Sequence, residues 1–379
     1  MAKINSEIGR TAIDEKVRMK LWAISAGRCE ICNKLLYTDG ALGYDGNFGE
    51  LAHIHAVSQG GPRHKYGMTN EDKNNIDNLM LLCPTHHHLI DSKPEEFGDG
   101  LLVHQKKLHE DRIRKVTDIT ENESTKIITF FSNIDNQQLF SSERLLKEAV
   151  LGVGRYPKND CVIELCSGLN TKYEPSKALM QQKATDLEAD FSLRFNSIIK
   201  GRDSISVFSL APQPLLFKLG TLINDQYNAL TFQCHRSGHK WAWKDTGDEV
   251  NYCIRKTKSG TSDKVALVID LSATIMDDRI TSVLGDDATI IHLTIENPNR
   301  EFVKTQEIQN NFVQCFREAM ETIKNLRPTP EIIHLFPAMP NSLAVRAGMD
   351  YMPKADLPLL LYEQANAHEG FFDTIQIGG

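Results

Sequence analysis

The run Glu50–Asp91 reads ELAHIHAVSQGG (50–61), PRHKYGMTNEDKNNID (62–77) and NLMLLCPTHHHLID (78–91). Its two apolar pieces, Glu50–Ala56 and Leu79–Cys83, predict short strands separated by a long polar loop, Ser58–Asp77. Pro84 suits the first turn of a following helix, where its missing N–H costs nothing. That helix carries His86, His87, His88 and Asp91, and Pro94 bars its continuation. The two strands would lie antiparallel, so that a hairpin and a helix enclose one metal.

Upstream stands a matching pair, Cys29-Glu-Ile-Cys32. With Cys83-x2-His86 it supplies three sulfurs and one imidazole, a donor set for a closed tetrahedral Zn²⁺ site. The alternative is four unrelated core residues, which two such pairs in so short a stretch disfavour. His87 and Asp91 are four apart, and a helix puts them on one face. An imidazole and a carboxylate there suit Mg²⁺, Mn²⁺ or a transition metal.

At 379 residues, with 41% hydrophobic and 25% charged residues, the chain has the composition of ordinary globular protein and the length for more than one domain. The longest apolar runs fall short of the ~20 residues that a bilayer requires. The N-terminal stretch has no apolar signal region, so a cytoplasmic protein with reduced thiols is expected, and no membrane. The eight cysteines then read as metal ligands or core residues. Net charge −7 argues against a bulk polycation. Residues 1–118 hold 16 Lys and Arg against 17 Asp and Glu; of the chain's 43 and 50, the rest holds 27 and 33. Any nucleic-acid contact must therefore be made by local patches.

The periodicity predicts a helix over 11–27, with Asp14 at its start and Gly27 at its stop, and another over 101–116. Lys106, Lys107, Arg112, Arg114 and Lys115 of the latter either touch phosphates or form a solvated face. Residues 119–124 read as a polar linker between domains 1–118 and 125–379. Beyond it strands are expected at 126–131, 161–166, 204–210, 230–234, 251–255, 265–271, 289–293 and 332–336, with a last one at 357–362. Helices are expected at 142–150, 174–199, 306–326 and 341–348, and a Pro-rich turn after 210. Apolar strands alternating with helices indicate an α/β architecture with largely parallel sheets. Its halves divide near residue 260, as lobes of about 125–260 and 261–379, and show no sequence repeat.

His53, Asn78 and His87 in that order, carried by AHIHAVSQGG, NLMLLCPTHHHLID and the upstream CEIC, resemble the HNH endonuclease family with its ββα-metal fold, over roughly residues 20–95. The resemblance implies an α+β nuclease domain in which His53 is the general base that takes a proton from water. His87 and Asp91 would hold a catalytic Mg²⁺ or Mn²⁺, one per site, and Asn78 would brace the hairpin and orient His53. There are two departures. Many members have an acid or second histidine just before the base, where this chain has Ala52, so either the metal has fewer protein ligands or Glu50 or His55 contributes one. His86 stands where Cys is more usual. His55, His64 and His88 read as surface or loop histidines.

Residues 125–379 hold no nucleophile elbow, P-loop or GxGxxG, so a binding function leads. Loops after the apolar strands are the default ligand sites: Ser272 and Thr274 after VALVID, and Pro337, Asn341 and Ser342 after IIHLF. HRSGHKWAWKD (235–245) adds His239, Lys240, Trp241 and Trp243, which either stack on a nucleobase or pack in the core. Arg255 and Lys256 either pair with phosphates or form a solvated face. The WAW segment, VALVIDLSATI (265–275) and the stretch His334–Glu363 resemble the SAVED domain, a two-lobed Rossmann-like (CARF-like) sensor of cyclic oligonucleotides. HNH followed by SAVED is similar to the HNH–SAVED effectors of bacterial CBASS anti-phage signalling. That resemblance implies a cyclic di- or trinucleotide made by a cGAS-like nucleotidyltransferase, a dimer or higher homo-oligomer on binding it, and cleavage of double-stranded DNA. Two other readings fit the residues. One is a restriction-type HNH nuclease whose C-terminal domain reads modified DNA. The other is a non-catalytic zinc DNA-binding module joined to a metabolite sensor.

Overall fold

Asp14 opens the first helix: its Oδ1 accepts a hydrogen bond from the Lys16 amide at 2.7 Å. Helix α1 (Glu15–Ile24) follows and ends where Gly27, at φ +62°, turns the chain back, a conformation glycine adopts without strain. The computed structural model describes residues 12–38, 40, 43–58, 60–132, 141–166, 176–195, 203–235, 241–244, 246–364 and 370–379. The chain divides into two units, Met1–Thr120 and Glu121–Gly379.

In the first unit β1 (Glu50–His53) and β2 (Leu79–Leu82) pair antiparallel, with Glu50 opposite Leu82 and His53 opposite Leu79. Among the described residues between them lie a short helix, α2 (Asn70–Lys73), and a single tight helical turn, Ile76–Asn78. All four residues of β2 are buried, and with Leu21, Leu36, Ala52, Ile54 and Ile90 they form the core. Helix α3 (Pro84–Ser92) begins at Pro84, as the sequence requires, and α4 (Asp99–Thr117) contributes Leu102. The expected linker is short: Glu121–Glu123 form one tight turn and Ser124 already lies in a strand.

The second unit contains β3 (Ser124–Phe131), α5 (Glu143–Gly152), β4 (Tyr156–Leu165), α6 (Lys177–Asp190), β5 (Ser204–Leu210), α7 (Gln213–Ile223) and β6 (Asn228–Phe232). It continues with β7 (Tyr252–Lys258), β8 (Val265–Asp270), α8 (Asp277–Leu284), β9 (Thr289–Ile295), α9 (Gln306–Lys324), β10 (Ile333–Ala338), α10 (Asn341–Asp350), β11 (Leu359–Gln364) and β12 (Phe371–Ile377). Two sheets result. One is wholly parallel, in the order β4-β3-β5-β6. The other, β12-β11-β10-β8-β9-β7, is parallel inside with antiparallel edges β12 and β7. Every residue of β8 and β9 is buried, which is why VALVID and TIIHLTI carry no polar alternation.

Three expectations change. The Pro-rich turn after residue 210 is helix α7, with Pro212 just ahead of it and Pro214 in its first turn, where proline is compatible with a helix. The strand at 359–364 is not the last, because β12 pairs with it. The second sheet takes in β7, so it begins at Tyr252 rather than at 261.

Helices α7 and α10 each follow a buried parallel strand and cross at two glycines. A Cβ on Gly348 would lie 2.0 Å from the Phe217 carbonyl oxygen, and one on Gly220 would lie 2.1 Å from that of Val345. Here the halves do repeat: Pro212-Gln213-x-Leu215-x2-Lys218-x-Gly220 matches Pro340-Asn341-x-Leu343-x2-Arg346-x-Gly348. Gly348→Ala should cost about 3 kcal/mol, the upper part of the usual overpacking range. In a unit of this size that lowers the melting temperature by roughly 6–12 °C in calorimetry. An unchanged melting temperature would mean that the helices do not cross at this point.

Candidate active site

Two chemistries share the first unit. Cys29 and Cys32 sit in the turn after α1, Cys83 stands at the start of α3, and His86 lies in that helix's first turn. One ligand atom from each comes within 4.8 Å of all the others. His86 Nδ1 is 3.1 Å from Cys83 Sγ and 3.8 Å from Cys29 Sγ. Three sulfurs and one imidazole converging in this way match the donor set of structural zinc. Glu30, inside the knuckle, is 2% exposed, and burial pushes its carboxyl up to about 7. Ser25 Oγ donates to it at 2.5 Å and Lys106 Nζ lies 4.0 Å away. His109 of α4 sits 3.1 Å from the Ser25 carbonyl oxygen, and burial holds its imidazole below the usual range. Lys106 and His109 therefore belong to the clamp between α4 and the knuckle. Of the basic residues in α4, Lys106 is turned inward, away from any phosphate.

The second chemistry lies along a cavity of about 440 Å³, lined among others by Leu51, His53, Val57, Asn74, His87 and Asp91. His53, Asn78, His87 and Asp91 come from the strand end, the turn before β2 and one face of α3. His53 Nε2 lies 3.3 Å from Asn74 Oδ1. Asn78 is buried: its Oδ1 accepts from the His55 amide at 2.8 Å, and its Nδ2 donates to the carbonyls of His55 at 3.1 Å and Lys73 at 2.9 Å. It braces the hairpin through the backbone next to His53, while Asn74 faces the imidazole itself.

His87 is flanked by carboxylates. Nδ1 lies 2.7 Å from Glu50 Oε2 and Nε2 lies 3.5 Å from Asp91 Oδ2. A ring that donates its Nδ1 proton to one carboxylate presents the Nε2 lone pair to the other, and a cation between them satisfies both. The donor set thus fits a divalent ion held by His87 and Asp91, with Glu50 orienting the imidazole. Ala52 is fully buried in the apolar core, so its position has no room for a charged ligand. His55 turns elsewhere, its Nδ1 3.2 Å from the Arg63 carbonyl oxygen and its Nε2 4.0 Å from Asp99. His64 stacks edge-on with Tyr66, and His88 is exposed.

In the second unit the ligand candidates separate. Trp241 is 2% exposed, donates to Ser141 Oγ at 2.9 Å and packs edge-on to Phe208. It is a core residue, a correction to the stacking reading: its indole fills the space between the sheet and α5 and leaves no open face. Trp243 is half-buried beside Phe232. His239 and Lys240 lie outside the described residues. Arg255 and Lys256 are exposed on edge strand β7. The Ser272 amide donates to the Ala338 carbonyl at 2.7 Å, and Thr274, two residues on, is exposed. Pro337 is a buried residue of β10, which withdraws it from any ligand. Asn341 and Ser342 open α10 beside the start of α7. Gln213 Nε2 donates to the Met339 carbonyl at 2.9 Å and lies 3.4 Å from Asn341 Oδ1, and Ser342 Oγ donates to Gln233 Oε1 at 2.8 Å.

A family model described as HNH endonuclease matches residues 29–93, and one described as SMODS-associated and fused to various effectors sensor domain, SAVED, matches 190–377. The chain joins an HNH endonuclease domain to a SAVED sensor domain. A search of the curated proteins finds no match. Among solved structures, an Acinetobacter baumannii Cap4 SAVED/CARF-domain containing receptor with the cyclic trinucleotide 3'3'3'-cAAA is 11% identical, at a TM-score of 0.46, covering 78% of this chain and 62% of that one. The Moraxella osloensis Cap4 receptor gives 11%, 0.41, 77% and 60%. The chain therefore spans about three-fifths of the length of these receptors. The α+β HNH domain with its zinc-like group and the α/β SAVED domain are as the residues implied.

Sequence reasoning missed three residues around the HNH site, or left them open. Glu50 was one of two candidates to complete the site. Asn74 was lost in a polar run, NEDKNN, with no signal to separate it from its neighbours. Arg63 sits in the loop after Gly61, and only its place next to Pro62 in a tight turn marks it. No helix among the described residues is long and apolar enough to cross a membrane.

Proposed function

We propose that this protein is a cyclic-oligonucleotide-activated, metal-dependent endonuclease that degrades double-stranded DNA in bacterial anti-phage defence. The observation that carries it is the meeting of His53, His87 and Asp91 in one cavity beside a Cys3His group, on a chain that also has a SAVED domain.

His53 takes the proton from the attacking water, with Asn74 facing its Nε2 and Asn78 fixing the strand end that carries it. Imidazole is the side chain that ordinarily exchanges a proton near cellular pH, which suits that role. His87 and Asp91 hold the divalent ion, and Glu50 keeps the His87 ring turned toward it. Bound there, Mg²⁺ or Mn²⁺ supplies positive charge against the scissile phosphate and the leaving 3′ oxygen. The Cys29, Cys32, Cys83 and His86 zinc fixes the start of α3, and with it the direction of His87 and Asp91.

The activator is a cyclic di- or trinucleotide supplied by a cGAS-like nucleotidyltransferase. Its candidate contacts are Ser272, Thr274 and Asn341, where the loops after β8 and β10 come together, with Gln213 as a neighbour. Ser342 is buried with its hydroxyl donated to Gln233, which withdraws it from the ligand as burial withdraws Pro337. Binding drives dimers or higher oligomers that gather HNH domains on DNA. A panel of cyclic nucleotides in a thermal-shift assay tests the sensor. A true activator at 100 times its Kd stabilises the protein by about 2.7 kcal/mol. That shift should shrink in Asn341→Ala. If no cyclic nucleotide shifts the melting temperature, the sensor half of the proposal fails.

A further inference from the structure

Arg63 is the most heavily engaged cation near the cavity, and the reaction described above gives it no part. Its side chain is 6% exposed. Its backbone stands at φ +53°, in the left-handed region that non-glycine residues rarely adopt. Three of its five N–H donors are placed. Nε donates to the Ile54 carbonyl at 2.8 Å, Nη1 to the Ile90 carbonyl at 2.6 Å and Nη2 to Asp91 Oδ1 at 3.0 Å. The first acceptor lies just past the end of β1. The second is a carbonyl in the last turn of α3, without a partner in its own helix. The third is the carboxylate read here as a cation ligand. In the other direction, the His55 ring sits 3.2 Å from the Arg63 carbonyl oxygen and holds the loop in place.

The planar guanidinium thus joins the strand that ends in His53 to the helix that carries His87 and Asp91. It takes one oxygen of Asp91 and leaves Oδ2, the oxygen 3.5 Å from His87 Nε2, facing the imidazole. We infer that Arg63 is a positioning residue: it sets the rotamer of Asp91 so that Oδ2 and His87 Nε2 address one divalent ion. The inference rests on the reading of Asp91 as a ligand of that ion. A lysine keeps the charge but not the fork, so Arg63→Lys removes the geometry while leaving the local electrostatics nearly constant.

The test is a double-mutant cycle on the full-length protein, titrated with Mn²⁺ alone in the absence of DNA and followed by electron paramagnetic resonance. Zinc content is measured on each variant to verify the fold. Arg63→Lys should weaken Mn²⁺ binding about tenfold, the lower end for partners that orient metal ligands. In an Asp91→Asn background the same change should weaken it no further, since the route through Asp91 is already gone. Equal weakening in both backgrounds, or none in either, overturns the inference while leaving Asp91 as a ligand. Unaltered Mn²⁺ affinity in Asp91→Asn alone overturns the ligand reading, and the inference with it. Should Arg63→Lys lose its zinc, Arg63→Gly, which suits the positive φ, replaces it. Added guanidinium should then restore Mn²⁺ affinity, and failure to restore it counts against the positioning role.

Discussion

His53→Ala should lower the rate of DNA cleavage by about 10²–10⁴-fold, the usual contribution of a positioned general base. The imidazole stands at the end of β1 and shares a cavity with His87 and Asp91, and the groups around it do not duplicate it. Asn74, its neighbour at 3.3 Å, is an amide and takes up no proton at neutral pH. His55, two residues on, is turned toward the Arg63 carbonyl and Asp99. Zinc content and melting temperature should stay near wild type, because His53 is only half-buried and Asn78 holds the strand end through the backbone of His55. Plasmid cleavage and metal analysis on the same preparations measure both. Cleavage at near wild-type rate by His53→Ala would assign the proton transfer to another group.

Removing the zinc should have the larger structural effect. Cys83→Ser, or treatment with a strong chelator, should unfold residues 12–118 as a separate calorimetric transition, while that of residues 121–379 persists. Apparent binding of structural zinc is worth about 10–16 kcal/mol near neutral pH. A domain's whole stability is about 5–15 kcal/mol. The knuckle also carries Glu30, buried 4.0 Å from Lys106, so opening it would expose that pair as well. A first unit that melts at the same temperature with and without zinc would make the Cys3His group a packing feature.

The hairpin and helix of the HNH domain were legible because their residues carry both period and chemistry. LMLL is buried throughout, Pro84 starts a helix, and a Cys-Cys pair and a Cys-His pair both have metal spacing. The strands of the SAVED domain were legible for a similar reason, since VALVID has no polar face to hide. Helix α7 was not, because a stretch with two prolines reads as a turn until Pro212 is seen outside the helix and Pro214 in its first turn. The crossing of α7 and α10 depends on backbone approach at Gly220 and Gly348, and a glycine in a sequence does not say what it approaches. Trp241 followed a similar logic in reverse. Within HRSGHKWAWKD it reads as well for stacking on a base as for the core, and only the interior partner Ser141, which satisfies its N–H, decides between them. Arg63 and Asn74 escaped because both act from a polar loop across sequence distance, on Asp91 and His53.

Plasmid degradation in Mg²⁺, with and without a cyclic trinucleotide that shifts the protein's melting temperature, tests the proposed function most directly. The plasmid should stay intact without the nucleotide and be degraded with it, and His53→Ala should leave it intact in both while still responding to the nucleotide in thermal shift. Cutting that ignores the nucleotide and needs modified DNA would point to a restriction enzyme. Nucleotide-dependent DNA binding with no cutting at any metal concentration would contradict the nuclease itself.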